Sequence, residues 1–178
     1  MKITLYGAAS DRIDAKYVQA VEAFGEEMAK RGHTMVFGAG ATGLMGAAAR
    51  GMHEEGGHII GITPHFMHEL EPISPLCTEL IGTETMAERK NEMERLADAF
   101  VIVPGGVGTY DEFFQILTLR VLNRHQKPII LYNINDFWSS MVSLLEEGVE
   151  KGFITPAALV DFCVCDTAEE VFDVLEGK

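Results

Sequence analysis

Short apolar runs that end at glycine or proline, most of them followed by a helical stretch of about a dozen residues or more, recur along this chain and leave it few folds to choose from. "ITLY" (3–6) stops at Gly7, "HTMVF" (33–37) at Gly38, "HIIGIT" (58–63) at Pro64, and "FVIV" (100–103) at Pro104. Between them lie stretches with helical spacing, such as Tyr17, Val21, Phe24 and Met28. Runs of four to six residues alternating with helices predict βαβ units and hence a parallel sheet. The expected architecture is α/β: one Rossmann-like domain over 1–178, mostly parallel sheet with helices on both faces. Asp14 is the expected cap of the first helix, and Thr85/Glu88 and Thr167/Glu170 have capping-box spacing. "LCTELI" (76–81) reads as a short strand and "ALVDFCVC" (158–165) as the apolar segment that precedes the last helix. Residues 64–76, with three prolines, read as an irregular loop that carries His65 and His68 as solvated side chains.

Charge narrows the partners. Twenty-seven acids against 14 bases give a net charge of −13, which disfavours a nucleic-acid backbone or an anionic membrane surface. No apolar run approaches the ~18 residues of a membrane span, and the first ten residues read as a strand running into a turn, not a signal peptide. Three cysteines make no disulfide framework, and Cys163 and Cys165 read as buried structural thiols. A reducing cytoplasm is the simplest compartment.

In parallel α/β sheets, ligands sit where strands end and helices begin. Three such turns are rich in small residues: "YGAAS" (6–10), "FGAGATGLMG" (37–46) and "VPGGVGTYDE" (103–112). Backbone amides there can approach an anion closely, and the next helix adds unpaired N–H groups. Tight turns and close helix packing are the competing reading for each. The third turn, with Gly105, Gly106, Gly108 and Thr109, exceeds what a turn needs. A dinucleotide fingerprint is missing from the first turn, and no Gly-Lys-Ser/Thr of a P-loop occurs. Asp111 and Glu112 follow the glycines directly, either as caps in the first helical turn or as groups that face the ligand. Arg89 shares a helical face with Met86 and Met93, against which an aromatic base could lie. Alternatively, both methionines are core and Arg89 pairs with a neighbour such as Glu92. No spacing of His, Cys, Asp or Glu points to a metal, and no cofactor is called for.

"GLMG" (43–46), "MAERKNEM" (86–93), "DAFVIVPGGVGTYDEF" (98–113) and "RHQKPIILYN" (124–133) resemble, in order, the LOG family of cytokinin riboside 5′-monophosphate phosphoribohydrolases. Pro104 to Glu112 meets every fixed position of its P-G-G-x-G-T-x-x-E motif. The resemblance implies hydrolysis of the N-glycosidic bond of a purine nucleoside 5′-monophosphate, with AMP as plausible a substrate as an N6-modified adenine nucleotide. By position, Arg89 and Glu112 correspond to the catalytic pair. Lys90, the turn Gly106, Val107, Gly108, Thr109, Tyr110 and Asp111, and Thr118 correspond to nucleotide-binding positions, beside which Met86 and Gly105 are included as substrate-binding. A homodimer with the site near the subunit boundary is also implied, the apolar stretch 113–122 being one place for an interface. Departures lie at Ala87, Val121 and Asn123. The competing reading is a purine-nucleotide sensor without turnover. Lysine decarboxylase chemistry, a label often given to such chains, needs pyridoxal phosphate on a Schiff-base lysine. Only seven lysines exist here, and the one near the site, Lys90, stands next to Arg89. Glu69 or Glu71 could hold a ribose hydroxyl.

Overall fold

The apolar runs pair into one seven-stranded parallel sheet in the computed structural model, which describes residues 1–70 and 72–178, and of His68 the backbone alone. The strands are β1 (Lys2–Tyr6), β2 (Thr34–Phe37), β3 (His58–Pro64), β4 (Glu79–Thr83), β5 (Ala99–Ile102), β6 (Ile129–Tyr132) and β7 (Cys163–Cys165). Their order across the sheet is β4-β3-β2-β1-β5-β6-β7. The chain therefore winds outward from β1 to one edge, returns to the centre, and winds outward again from β5. The winding reverses between β1 and β5, and the crevice beyond their carboxyl ends is where such a sheet receives a ligand.

Side chains alternate across the sheet, so each central strand feeds two cores. Ile3 and Leu5 of β1 join Phe24 and Met28 of α1 (Ala15–Lys30), Leu44 and Met52 of α2 (Gly43–Glu54), and Phe172 of α7 (Ala168–Glu176). On the other face Tyr6 joins Met93 of α3 (Met86–Leu96), Phe113 and Ile116 of α4 (Val107–Val121), and Met141 of α5 (Ser139–Glu150). Small residues on α2 have a packing reason. A Cβ on Gly51 would fall 2.0 Å from the Glu22 carbonyl oxygen, so α1 and α2 meet backbone to backbone.

The expected caps form. Asp14 accepts from the Lys16 amide, and Thr167 and Glu170 make a complete capping box. Thr85 accepts from the Glu88 amide, but the Glu88 carboxylate reaches Glu84 N, one residue before the cap. Residues 158–165 are not one strand: α6 (Ala157–Val160) precedes the three-residue β7. On the edge strand β7, Cys165 is buried and Cys163 exposed, correcting the expectation that both thiols lie in the core. The loop after β3 opens with a 3-10 turn, His65–Glu69, where His65 faces Glu84 at 3.6 Å. Glu71 and the side chain of His68 lie outside the described residues.

Candidate active site

A cavity of about 530 Å³ opens at the carboxyl ends of the central strands. All three small-residue turns line it, through Gly7 to Ser10, Gly38 and Gly40, and Gly106, Gly108 and Thr109. Met86, Arg89 and Lys90 enter from α3, and Asp111 and Glu112 from α4. Eight of the residues singled out in the sequence thus share one cavity. Four others do not line it. Gly105 lies behind the turn, where a Cβ would strike the Thr109 hydroxyl at 2.1 Å. Val107 points outward and is 84% exposed. Tyr110 packs edge-on against Trp138, and Thr118 is exposed on α4 with its hydroxyl donating to the Phe114 carbonyl at 2.6 Å. Tyr6 and Met45, inside the first two turns but given no role of their own in the sequence, also line the cavity, as do Thr63 and Met67. For Tyr6 the available signal was its place at the end of the first strand.

The three turns are not equivalent anion sites. At the start of α2, Leu44 and Met45 donate their amides to the Ala8 carbonyl at 2.8 and 3.4 Å. Gly43 N, in the left-handed region at φ 58°, donates to the Asp11 carboxylate at 3.3 Å. The first turn therefore occupies the helix end that the second turn was expected to offer to a ligand. At the start of α3, Thr85 fills the equivalent role. α4 differs. Its N-cap is Gly106, no side chain caps it, and the amides of Val107, Gly108 and Thr109 have no partner among the described residues. Three free N–H groups at the positive end of a 15-residue helix make an anion cradle.

The helix begins earlier than the sequence indicated, and this reassigns the two acids. With Val107 as first helical residue, Asp111 and Glu112 fall in the second turn, and the first turn holds no acid. Neither is a cap. Asp111 accepts from Lys90 Nζ at 2.8 Å at the cavity rim. Glu112 is buried and accepts from Arg89 Nη1 at 2.9 Å. Arg89 also donates through Nε to the Ile62 carbonyl, 3.3 Å away at the end of β3. It does not pair with Glu92, which binds Arg95 instead. Of its two methionine neighbours, Met93 is wholly buried while Met86 is 40% exposed at the cavity.

The position of α3 is set from below. Thr4 on β1 donates to the Met93 carbonyl at 3.0 Å, and Lys127 Nζ reaches the Glu94 carbonyl at 2.6 Å. These bonds satisfy carbonyls near the helix end and fix the level at which Arg89 leaves it. Burial raises the Glu112 carboxyl above the ordinary glutamate value, and the Arg89 guanidinium offsets this only in part. A carboxyl tuned upward in a cleft is a better proton acceptor than an ordinary glutamate. Cradle, guanidinium and carboxylate thus open on one cavity, an anion site beside an acid–base pair.

A family profile described as "Possible lysine decarboxylase" matches residues 45–175. The chain is 33% identical over 175 residues to cytokinin riboside 5′-monophosphate phosphoribohydrolase LOG3 of Arabidopsis thaliana, covering 98% of this chain and 81% of that one. It is 34% identical to cytokinin riboside 5′-monophosphate phosphoribohydrolase LOG of Oryza sativa subsp. japonica, covering 98% and 72%. The molybdenum cofactor binding protein of Rippkaea orientalis shares the fold at a TM-score of 0.77, with 20% identity over 99% of this chain and 95% of that one. One fold thus serves more than one function, and the side chains of the site have to decide between them. They do not favour imine chemistry: Lys90, the lysine at the cavity, is committed to Asp111 and placed to attract an anion.

Proposed function

Because the chain belongs to the LOG family of cytokinin riboside 5′-monophosphate phosphoribohydrolases, we propose that it hydrolyses the N-glycosidic bond of a purine nucleoside 5′-monophosphate. The products are the free base and ribose 5-phosphate. The observation that carries this reading is the part-buried Arg89–Glu112 pair beside the uncapped end of α4, within one cavity.

In this reading the amides of Val107, Gly108 and Thr109 hold the 5′-phosphate, and Lys90 adds a positive charge at the rim. The sugar then lies along α4 toward Glu112. Its carboxylate stabilises positive charge developing at C1′ and takes a proton from the attacking water. The water oxygen bonds to C1′, the C1′–N bond breaks with its electron pair on the base, and the proton held by Glu112 is returned to the base. Arg89 keeps Glu112 oriented and offsets negative charge on the departing base. Met86 offers a flexible apolar surface to that base. The acids behind the glycines do not oppose the phosphate, because Asp111 is paired with Lys90 and Glu112 serves the other end of the substrate.

The protein also acts as a homodimer in this reading. Val107, Phe114 and Leu122, 84%, 37% and 60% exposed, follow one another along the outer face of α4 with Thr118 between them. An apolar stripe of this kind supports a subunit boundary beside the site. Among the described residues no helix is long and apolar enough to cross a membrane.

The test is direct. Incubated with AMP and with isopentenyl-AMP, the protein releases base and ribose 5-phosphate, resolved by chromatography. Glu112→Gln and Arg89→Ala each lower release by about a thousandfold while the circular dichroism spectrum is retained. Binding of both nucleotides without base release would instead identify a sensor.

A further inference from the structure

Tyr6 is a buried phenol that nothing in the mechanism above uses. It ends β1, is 2% exposed, and its ring stacks on Phe100 at 6.2 Å with the planes 7° apart. Buried tyrosine hydroxyls normally find a partner. Among the described residues the hydroxyl of Tyr6 has none, and the residue lines the cavity.

Its level in the sheet is fixed by a neighbouring bond. Thr4 and Tyr6 lie on the same face of β1, and Thr4 meets the Met93 carbonyl. Two residues further along the strand is an advance of about 6.6 Å. Four residues back along α3, from Met93 to Arg89, is about 6 Å in the same direction. Tyr6 therefore comes level with Arg89, on the floor between the two helices that supply Arg89 and Glu112. The charges of both residues reach the phenol, which burial above all, and then the Glu112 carboxylate, hold in its neutral form.

Resting on the phosphoribohydrolase reading, we propose that the Tyr6 hydroxyl is a second anchor for the attacking water, holding it against the Glu112 carboxylate beneath the sugar. A water needs two to four polar partners to be ordered, and this floor supplies carboxylate, guanidinium and phenol. The bond changes are those already given. Tyr6 itself exchanges no proton in the net reaction; it fixes the direction from which the water oxygen reaches C1′. It therefore acts on the transition state, leaving the phosphate and base contacts of the bound nucleotide alone.

Tyr6→Phe removes the hydroxyl and keeps the stacked ring. The expected result is a fall in kcat of about 10- to 100-fold, with KM within threefold of wild type. Affinity for ribose 5-phosphate, measured by calorimetry, and the melting temperature should stay unchanged, which separates lost water positioning from lost structure. A Tyr6→Phe enzyme with kcat within twofold of wild type overturns the proposal, as does one whose KM rises while kcat is retained, since that pattern marks a sugar contact. Wild-type protein run alongside separates the two levels of inference. If wild type releases no base, the proposed function fails and this role with it; if wild type turns over and Tyr6→Phe equals it, the role of Tyr6 alone fails.

Discussion

Gly38→Ala offers a sharp test of how the site is held, because it adds one methyl group at the cavity wall without removing any functional group. Gly38 follows β2 and lies under the guanidinium of Arg89. A Cβ built there falls 2.0 Å from Nη2 and 3.0 Å from Cζ. Ordinary contact begins near 3.4 Å, so the guanidinium must retreat by more than an ångström. Its two anchors, to Glu112 at 2.9 Å and to the Ile62 carbonyl at 3.3 Å, cannot both survive that shift. Misplacement on this scale costs about 100-fold in rate, equivalent to about 2.7 kcal/mol of transition-state stabilisation. Stability should change by no more than about 2 kcal/mol, because the obstructed atoms are the far end of a flexible side chain beside an open cavity. The assay is steady-state base release from AMP, with urea unfolding in parallel. A variant whose kcat/KM stays within threefold of wild type would refute the reasoning, since Arg89 would then tolerate displacement and could not be the group that orients Glu112.

Gly51→Ala directs its Cβ at backbone, 2.0 Å from the Glu22 carbonyl oxygen; α1 and α2 must separate, and urea unfolding should show a loss of about 3 kcal/mol. The raised Glu112 carboxyl sets the acid limb of log kcat/KM above the ordinary glutamate value, and a limb at the ordinary value would remove Glu112 as the base. It also has a sign in stability. Between the unfolded and the raised folded pKa the native state binds more protons than the unfolded one, so stability falls as pH rises through that window. Unfolding free energies measured across it should decline more in wild type than in Glu112→Gln, where the titrating group is absent.

Periodicity made the sheet legible because central parallel strands are buried on both faces and read as continuous apolar runs. It was less informative where a helix starts in poor helix formers. α4 begins inside the glycine motif, a place that propensity disfavours, and so Asp111 and Glu112 were given the first turn when they belong to the second. The closing run of 158–165 misled for a related reason: apolar residues in a short helix and in an edge strand look alike without the intervening turn. Long-range pairing was the least legible. Local spacing offered Glu92 to Arg89, whereas the fold gives Arg89 to Glu112, 23 residues away. Nor could spacing show that Ala8 and Asp11 fill the end of α2 from more than 30 residues upstream. That contact separates one open helix end from a closed one of similar sequence.

Ala8 does more than close α2. Its carbonyl accepts from Leu44 and Met45 while its amide donates to the Pro104 carbonyl at 3.1 Å, at the entrance of the glycine-rich turn. One peptide segment thereby ties the turn that stays open to the turn that is shut. A glycine-rich loop left to itself samples many conformations, and a ligand that ordered it would forfeit part of its affinity to lost backbone entropy. Here that ordering is completed during folding, with α2 as the abutment. The cradle at the start of α4 can then meet an anion as a rigid lock meets its key, and the rate at which the Ala8 amide exchanges its hydrogen with solvent would measure how firmly the lock is set.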